Sequence, residues 1–237
     1  MLDRSFVEKI EALTAPTIFP IGGLDYASKG LVMITPPQVA KFSVESLAAI
    51  LDFCEFEMES EKRHVLHIQD YHHVKLYGPV DPKFRTRECF VAAEASSFNF
   101  EFETFHQVEK FIIALQAQFV QSETTAAILK LVGNMTKVAE VGTKDNGVTQ
   151  VVEVKSGLAK VDNFSVPNPV NLAPFRTFIE IKQPASNFVL RMNDRFQCGL
   201  FEADGGAWMI AAMKGIREFL DSGLKAIGKR DQITILC

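Results

Sequence analysis

An α+β fold, a mainly antiparallel sheet with three to four helices packed on it, is what the order of periodicities along this chain predicts. Stretches of period-two alternation come in runs joined by hairpin-type turns, helical stretches are gathered between those runs, and no strand–helix–strand unit repeats. Aromatic mass is weighted to phenylalanine, 20 against 3 tyrosines and 1 tryptophan, which suits a core or a subunit contact where no hydroxyl needs a partner. With 237 residues, 47% of them hydrophobic, the chain can bury a substantial core.

Residues 1–40 are expected to form an N-terminal arm: the spacing over 5–13 predicts a short helix, after which Pro16, Pro20, Gly22, Gly23 and Pro36-Pro37 interrupt any regular element. Residues 41–237 are expected to form a single α+β domain with a weak subdivision near 133. Ser43 is placed to cap a helix that carries Leu47, Ile50, Leu51 and Cys54 on one stripe and ends near Glu59. From His64 to Tyr77, apolar Leu66, Ile68, Val74 and Leu76 alternate with polar residues around Asp70-Tyr71, the pattern of a hairpin or a bent strand. Residues 86–95 read as a strand. Phe98, Phe100 and Phe102 then alternate with Asn99 and Glu101, a short strand with its rings on one face.

Thr104-x-x-Gln107 has the form of a capping box ahead of Val108, Phe111, Ile112, Leu115 and Phe119, which predicts a helix over 105–120. Ser122 caps a second helix carrying Ile128, Leu129 and Val132, stopped by Gly133-Asn134 and antiparallel to the first. A hairpin follows, 136–142 and 148–155 about Lys144-Asp145-Asn146-Gly147. Strands are predicted near 158–164, 175–182, 187–193 and 196–202, parted by Pro167-Asn168-Pro169, Pro174 and Pro184. The closing helix presents Trp208, Ala211, Ala212, Gly215 and Phe219 on one face, and the apolar stretch from Ile233 to Leu236 adds an edge strand or docks on a partner.

Lys and Arg number 25 against 29 Asp and Glu, a formal charge of −4, the wrong sign for coating phosphate backbones by bulk electrostatics. Any nucleic-acid site is therefore a local patch. Lys83, Arg85 and Arg87 alternate near a strand and are that candidate, for single-stranded DNA, although a solvated sheet edge guarded by charge is the preferred account of the same residues. Cys54, Cys89, Cys198 and Cys237 are widely spaced with no Cys-x-x-Cys pair, which fits a reducing cytoplasm. Met1 to Pro20 contains Asp3, Glu8 and Glu11 and no long apolar run, so neither a signal peptide nor a membrane partner is expected.

The segment from Phe164 to Leu220 holds the main candidate site. Its turn Glu202-Ala203-Asp204-Gly205-Gly206 opens the helix of the only tryptophan, Trp208. Open backbone N–H groups and the helix dipole favour an anion there, which makes Arg176, Arg191, Gly205, Gly206 and Trp208 candidate ligand-binding residues. Glu202 and Asp204 oppose an anion and have the alternative of pairing with the arginines as a buried network, with Asp204 capping the helix. His64, His67, His72 and His73 with Asp70 have metal-ligand chemistry, but strand neighbours point to opposite faces, so no metal is expected. No Gly-x-Ser-x-Gly elbow, Walker loop or His-Glu-x-x-His is present, so the sequence names no catalytic residue and no cofactor.

Taken in order, the Phe-rich stretch Phe105–Phe119, Asp145-Asn146-Gly147-Val148-Thr149-Gln150, Pro167-Asn168-Pro169-Val170-Asn171-Leu172, Pro174-Phe175-Arg176-Thr177-Phe178, Gln183-Pro184-Ala185-Ser186 and the Glu202-to-Trp208 turn resemble the YfdQ-like phage and prophage proteins of unknown function. The resemblance covers roughly residues 40–222, is strongest in the part from Asp145 onward, and leaves the N-terminal arm and the Cys237 tail outside. It implies a phage or prophage product acting in the cytoplasm of a bacterial host, and brings no catalytic residues with it. The expected function is a non-enzymatic, homo-oligomeric protein that binds a small ligand, with a nucleotide defence signal as one candidate in a counter-defence role, or a host component. The alternative is an accessory single-stranded-DNA-binding factor in phage recombination or replication. A nucleotide hydrolase built on the histidine cluster and Asp70 ranks last.

Overall fold

The computed structural model describes residues 3–21, 24–30, 37–58, 62–82, 84–96, 100–135, 140–145, 150–156, 160–166, 168–193 and 195–237, with the backbone alone at 21, 24–25, 134–135, 140–145, 150–156 and 160–166. The chain divides into two units, Met1–Gln38 and Val39–Cys237. In the first, α1 (Arg4–Thr14) is followed by β1 (Ile18–Ile21) and β2 (Leu24–Ala27), an antiparallel hairpin in which Phe19 faces Tyr26. Lys29 Nζ donates to the Leu13 and Thr14 carbonyls at 2.9 and 2.8 Å and so closes the C-terminal end of α1. Between the proline and glycine breakers, the arm thus carries a hairpin that the breakers alone did not suggest.

The second unit runs β3 (Phe42–Val44), α2 (Leu47–Phe56), β4 (His64–Ile68), β5 (His73–Val80), β6 (Arg87–Glu94), β7 (His106–Gln107), α3 (Val108–Ala117) and α4 (Glu123–Met135). It continues with β8 (Glu140–Asp145), β9 (Gln150–Ser156), β10 (Lys160–Val166), β11 (Val170–Leu172), β12 (Ser186–Met192), β13 (Gln197–Glu202), α5 (Ala207–Ala226) and β14 (Ile233–Leu236). The class is α+β with mostly antiparallel pairing, as the periodicities predict.

A five-stranded sheet has the order β14-β4-β5-β6-β3, an antiparallel meander with a parallel strand on each edge. Leu66, Ile68, Val74, Leu76 and Val91 on one face bury against Leu47, Ile50 and Cys54 of α2 and Ile216, Leu220 and Leu224 of α5. The two helices approach so closely that a Cβ on Gly223 would lie 2.3 Å from Leu51 Cδ1. Ser46, not Ser43, caps α2, accepting from the Ala49 N–H at 3.3 Å. Ser43 is held in β3, where it lies opposite Ala92, and the helix ends at Phe56, short of Glu59. The apolar stretch from Ile233 to Leu236 is the edge strand β14, in parallel register with β4.

A four-stranded sheet, β11-β12-β13-β7, carries the second core. Phe111, Leu115 and Phe119 from the α3 segment and Ile128 and Val132 from α4 meet Phe188, Leu190 and Leu200. The capping box expected at Thr104 is absent: Thr104 Oγ1 donates to the Phe102 carbonyl, and the chain stays extended through β7 before α3 begins at Val108. Ser122 does cap α4, accepting from Thr125 N–H at 3.1 Å, but the helix passes through Gly133 to Met135. Phe100 and Phe102 lie in coil, not strand. Their rings still meet edge to face at 4.9 Å, and Phe102 stacks on Phe188 at 5.2 Å. Phe98 and Asn99 lie outside the described residues.

β8, β9 and β10 form a third, antiparallel sheet with Asp145 opposite Gln150; the turn residues Asn146 and Gly147 lie outside the described residues. The strand predicted over 175–182 is instead a loop. Alternation misleads there because Gln183 does the work of a ladder, accepting from Arg176 N–H at 3.1 Å and donating to the Phe178 and Ile181 carbonyls. The buried stripe of α5 is Trp208, Ala212, Ile216, Leu220 and Leu224, whereas Ala211 is exposed. Each core takes residues from both sides of position 133. Among the described residues no helix is long and apolar enough to cross a membrane.

Candidate functional site

Arg176 leaves the loop before β12 and enters the interior, where it is 8% exposed. Ser186 and Phe188 lie on one face of β12, and Glu202 sits directly opposite Phe188 on β13, so alternation puts all three on the side that Arg176 reaches. Nη1 donates to Glu202 Oε1 at 2.5 Å, Nη2 donates to Ser186 Oγ, and the guanidinium carbon stands 3.8 Å from the Trp208 ring centroid. Burial pulls the guanidinium below its ordinary pKa, while Glu202 and Asp204 act in the opposite direction.

The Trp208 ring also meets Tyr71 edge-on at 4.6 Å, and Thr177 Oγ1 donates to the Tyr71 carbonyl, so the β4–β5 turn is fastened to the same cluster. Arg191 is not brought there. It lies an odd number of residues from Ser186 on β12, opposite Gly199, and therefore on the other face. Gly205 and Gly206 adopt left-handed φ values of 63° and 81°, and Asp204 Oδ1 accepts from the Gly206 N–H at 3.0 Å. Ala207 N–H bonds the Asp204 carbonyl and Met209 N–H the Gly206 carbonyl. The turn thus supplies its own carboxylate where an anionic ligand would sit.

The opposite face of the five-stranded sheet is different in character. Cross-strand registers place Ser43, Ala92, Lys75 and His67 in one row, with Glu94 and His73 in the next. Small Ser43 and Ala92 leave a groove of about 540 Å³, walled by Lys41 and Lys75 and by the carboxylates of Glu45 and Glu94. Neither lysine is ion-paired with a carboxylate among the described residues. His73 at the margin is held by Asp70, whose Oδ1 also accepts from the His72 and His73 N–H groups at 2.7 and 2.8 Å. Burial would raise the Asp70 pKa, but the His73 ring and these two N–H groups outweigh it and bring it below its ordinary value.

His64 is buried on the core face, its Nδ1 2.9 Å from the Lys62 carbonyl, and His67 lies on the open face, so the two diverge. Among the described residues no group of three or more His, Cys, Asp or Glu is placed to hold a metal ion. Burial pushes the Cys54 and Cys198 thiols up to about 12, which removes them as nucleophiles near neutral pH. Arg85, at φ 57°, and Arg87 are exposed at the β5–β6 turn, with Arg87 Nη1 donating to the Gly78 carbonyl; Lys83 lies outside the described residues. The groove lysines escaped the sequence patterns. Lys75 stands out only as the polar position of β5, and Lys41 joins it only through the parallel pairing of β3 with β6.

No protein-family model, curated protein or solved structure matches the chain.

Proposed function

We propose that this chain is a non-enzymatic binding protein for a small phosphorylated ligand of the nucleotide type, seated in the groove on the open face of the five-stranded sheet. The observation that carries this is the pairing of two cations, Lys41 and Lys75, with a concavity of about 540 Å³, a size ordinary for ligand sites. The lysines suit a phosphate, and Glu45 and Glu94 suit the exocyclic N–H groups of a base. This moves the ligand away from Arg176, whose Nη atoms are occupied by Glu202 and Ser186. The resemblance to the YfdQ-like proteins supports a phage or prophage setting in a bacterial cytoplasm, and in that setting sequestering a nucleotide signal would serve counter-defence.

Isothermal titration with a panel of mono-, di- and cyclic nucleotides tests the proposal. Saturable binding of at least one, lost in Lys41→Ala and Lys75→Ala proteins with unchanged melts, is the expected result; no binding by any, or binding that survives both changes, rejects it. Exposed Phe56, Ile179 and Ile210 support a homo-oligomer, which light scattering would refute by finding a monomer at micromolar concentration. Single-stranded DNA is the second candidate, favoured by the exposed Arg85 and Arg87.

A further inference from the structure

The groove on the open face of the five-stranded sheet is sorted by charge along its strands. Ser43, Ala92 and Lys75 share one row of the sheet, and Lys41 stands two residues before Ser43. Glu45 and Glu94 follow Val44 and Ala93, the last pair between β3 and β6, and wall the other end. Ammonium groups therefore supply donors at one end, and carboxylates supply acceptors at the other. Ser96 Oγ donates to Glu45 Oε2 at 3.2 Å, which orients that carboxylate. His73 Nε2 lies 3.7 Å from Glu94 Oε1, and Asp70 accepts from His73 Nδ1, so the neutral ring adds an unprotonated Nε2 to the same end.

An end lined by acceptors discriminates among bases by the donors they present. Guanine carries N1–H and the N2 amino group side by side, donors that carboxylate oxygens accept together. Adenine and cytosine each set an amino group beside a ring nitrogen that is itself an acceptor, and uracil flanks its one N–H with two carbonyls. Against Glu45 and Glu94 those lone pairs would face negative oxygen, and such an unmatched contact works against binding. We propose that the groove selects guanine among the common bases, with Glu45 and Glu94 accepting from N1–H and the N2 amino group while Lys41 and Lys75 hold the phosphate. The inference rests on the groove being a nucleotide site and adds which base it takes.

Isothermal titration with matched monophosphates, triphosphates and cyclic monophosphates of guanosine, inosine and adenosine tests the choice of base. Guanosine nucleotides are expected to bind roughly tenfold or more tighter than their adenosine counterparts. Inosine, which keeps N1–H and lacks the amino group, should fall between them. Glu45→Gln and Glu94→Gln each replace one acceptor oxygen with an amide donor that suits adenine N1. Both glutamates are exposed, so the melts should not change, and in either variant the guanosine-to-adenosine ratio should fall. Equal or tighter binding of adenosine nucleotides overturns the guanine assignment and leaves the groove as a nucleotide site. A guanosine preference that survives both substitutions overturns it too, because the discrimination then lies elsewhere. Binding of no nucleotide at all rejects the groove reading and the guanine assignment together.

Discussion

Glu180 closes the N-terminal end of α2 by accepting the Leu47 N–H at 2.7 Å, and the same oxygen takes the Ala48 N–H at 3.1 Å. Two of the helix's orphan donors are therefore met by a carboxylate from a distant loop, with the helix dipole adding to the attraction. Glu180→Ala is expected to cost about 1–2 kcal/mol, seen as a lower Tm. Glu180→Gln keeps an acceptor and loses the charge, so its loss should be smaller; a larger loss than for alanine would contradict the cap.

Arg176→Ala removes the partner of Glu202 and the cation on Trp208. Because the Glu202 side chain is 31% exposed and can regain water, the expected cost is at the low end for a broken buried pair, on the order of 3 kcal/mol. The double change Arg176→Met with Glu202→Leu should recover most of it, since neither charge is then left alone. Equal destabilisation in the single and double variants, in urea titrations, would show that packing rather than charge is what Arg176 provides.

Stability should fall in acid partly through Asp70. Its folded pKa lies below the unfolded one, so its contribution is present above the ordinary value of 3.8 and is lost as pH falls through the folded pKa. Asp221, lowered by its bonds to Lys225 and Arg230, acts in the same direction. Asp70→Asn is expected to melt lower than the wild type at neutral pH and to show a shallower decline below pH about 4. Parallel melting curves across that range would remove Asp70 from the account.

If single-stranded DNA is the ligand, log affinity should fall steeply with log salt, and the pair Arg85→Ala and Arg87→Ala should flatten the slope by about one unit or more. Fluorescence anisotropy with a labelled oligonucleotide measures this directly. Binding indifferent to salt, or to both substitutions, ends that candidate.

Local rules carried much of the fold. The His64–Tyr77 hairpin, the β8–β9 pairing and α5 follow from spacings a few residues apart, and the structure has them. What the sequence hid was set at long range. β3 lies beside β6 only through parallel pairing, so Ser43 read as a cap, and the loop at 175–182 imitates a strand because its buried run is organised by Gln183. At the candidate site, the pairing of Arg176 with Glu202 was legible as the network alternative to an anion site, but its partner Ser186 and the separation of Arg191 onto the other face depended on strand register.

The pairing of β14 with β4 has a consequence for synthesis on the ribosome. β4 emerges early, yet its outer neighbour and the helix that covers its apolar face are both encoded near the far end of the sequence, after the entire second core. Throughout most of translation the meander β4–β5–β6 must wait with one edge and part of one face open, the condition under which nascent chains are captured by chaperones or by one another. Slow decoding or pausing between the β6 and α5 codons should therefore lower the yield of soluble protein, even with every residue unchanged.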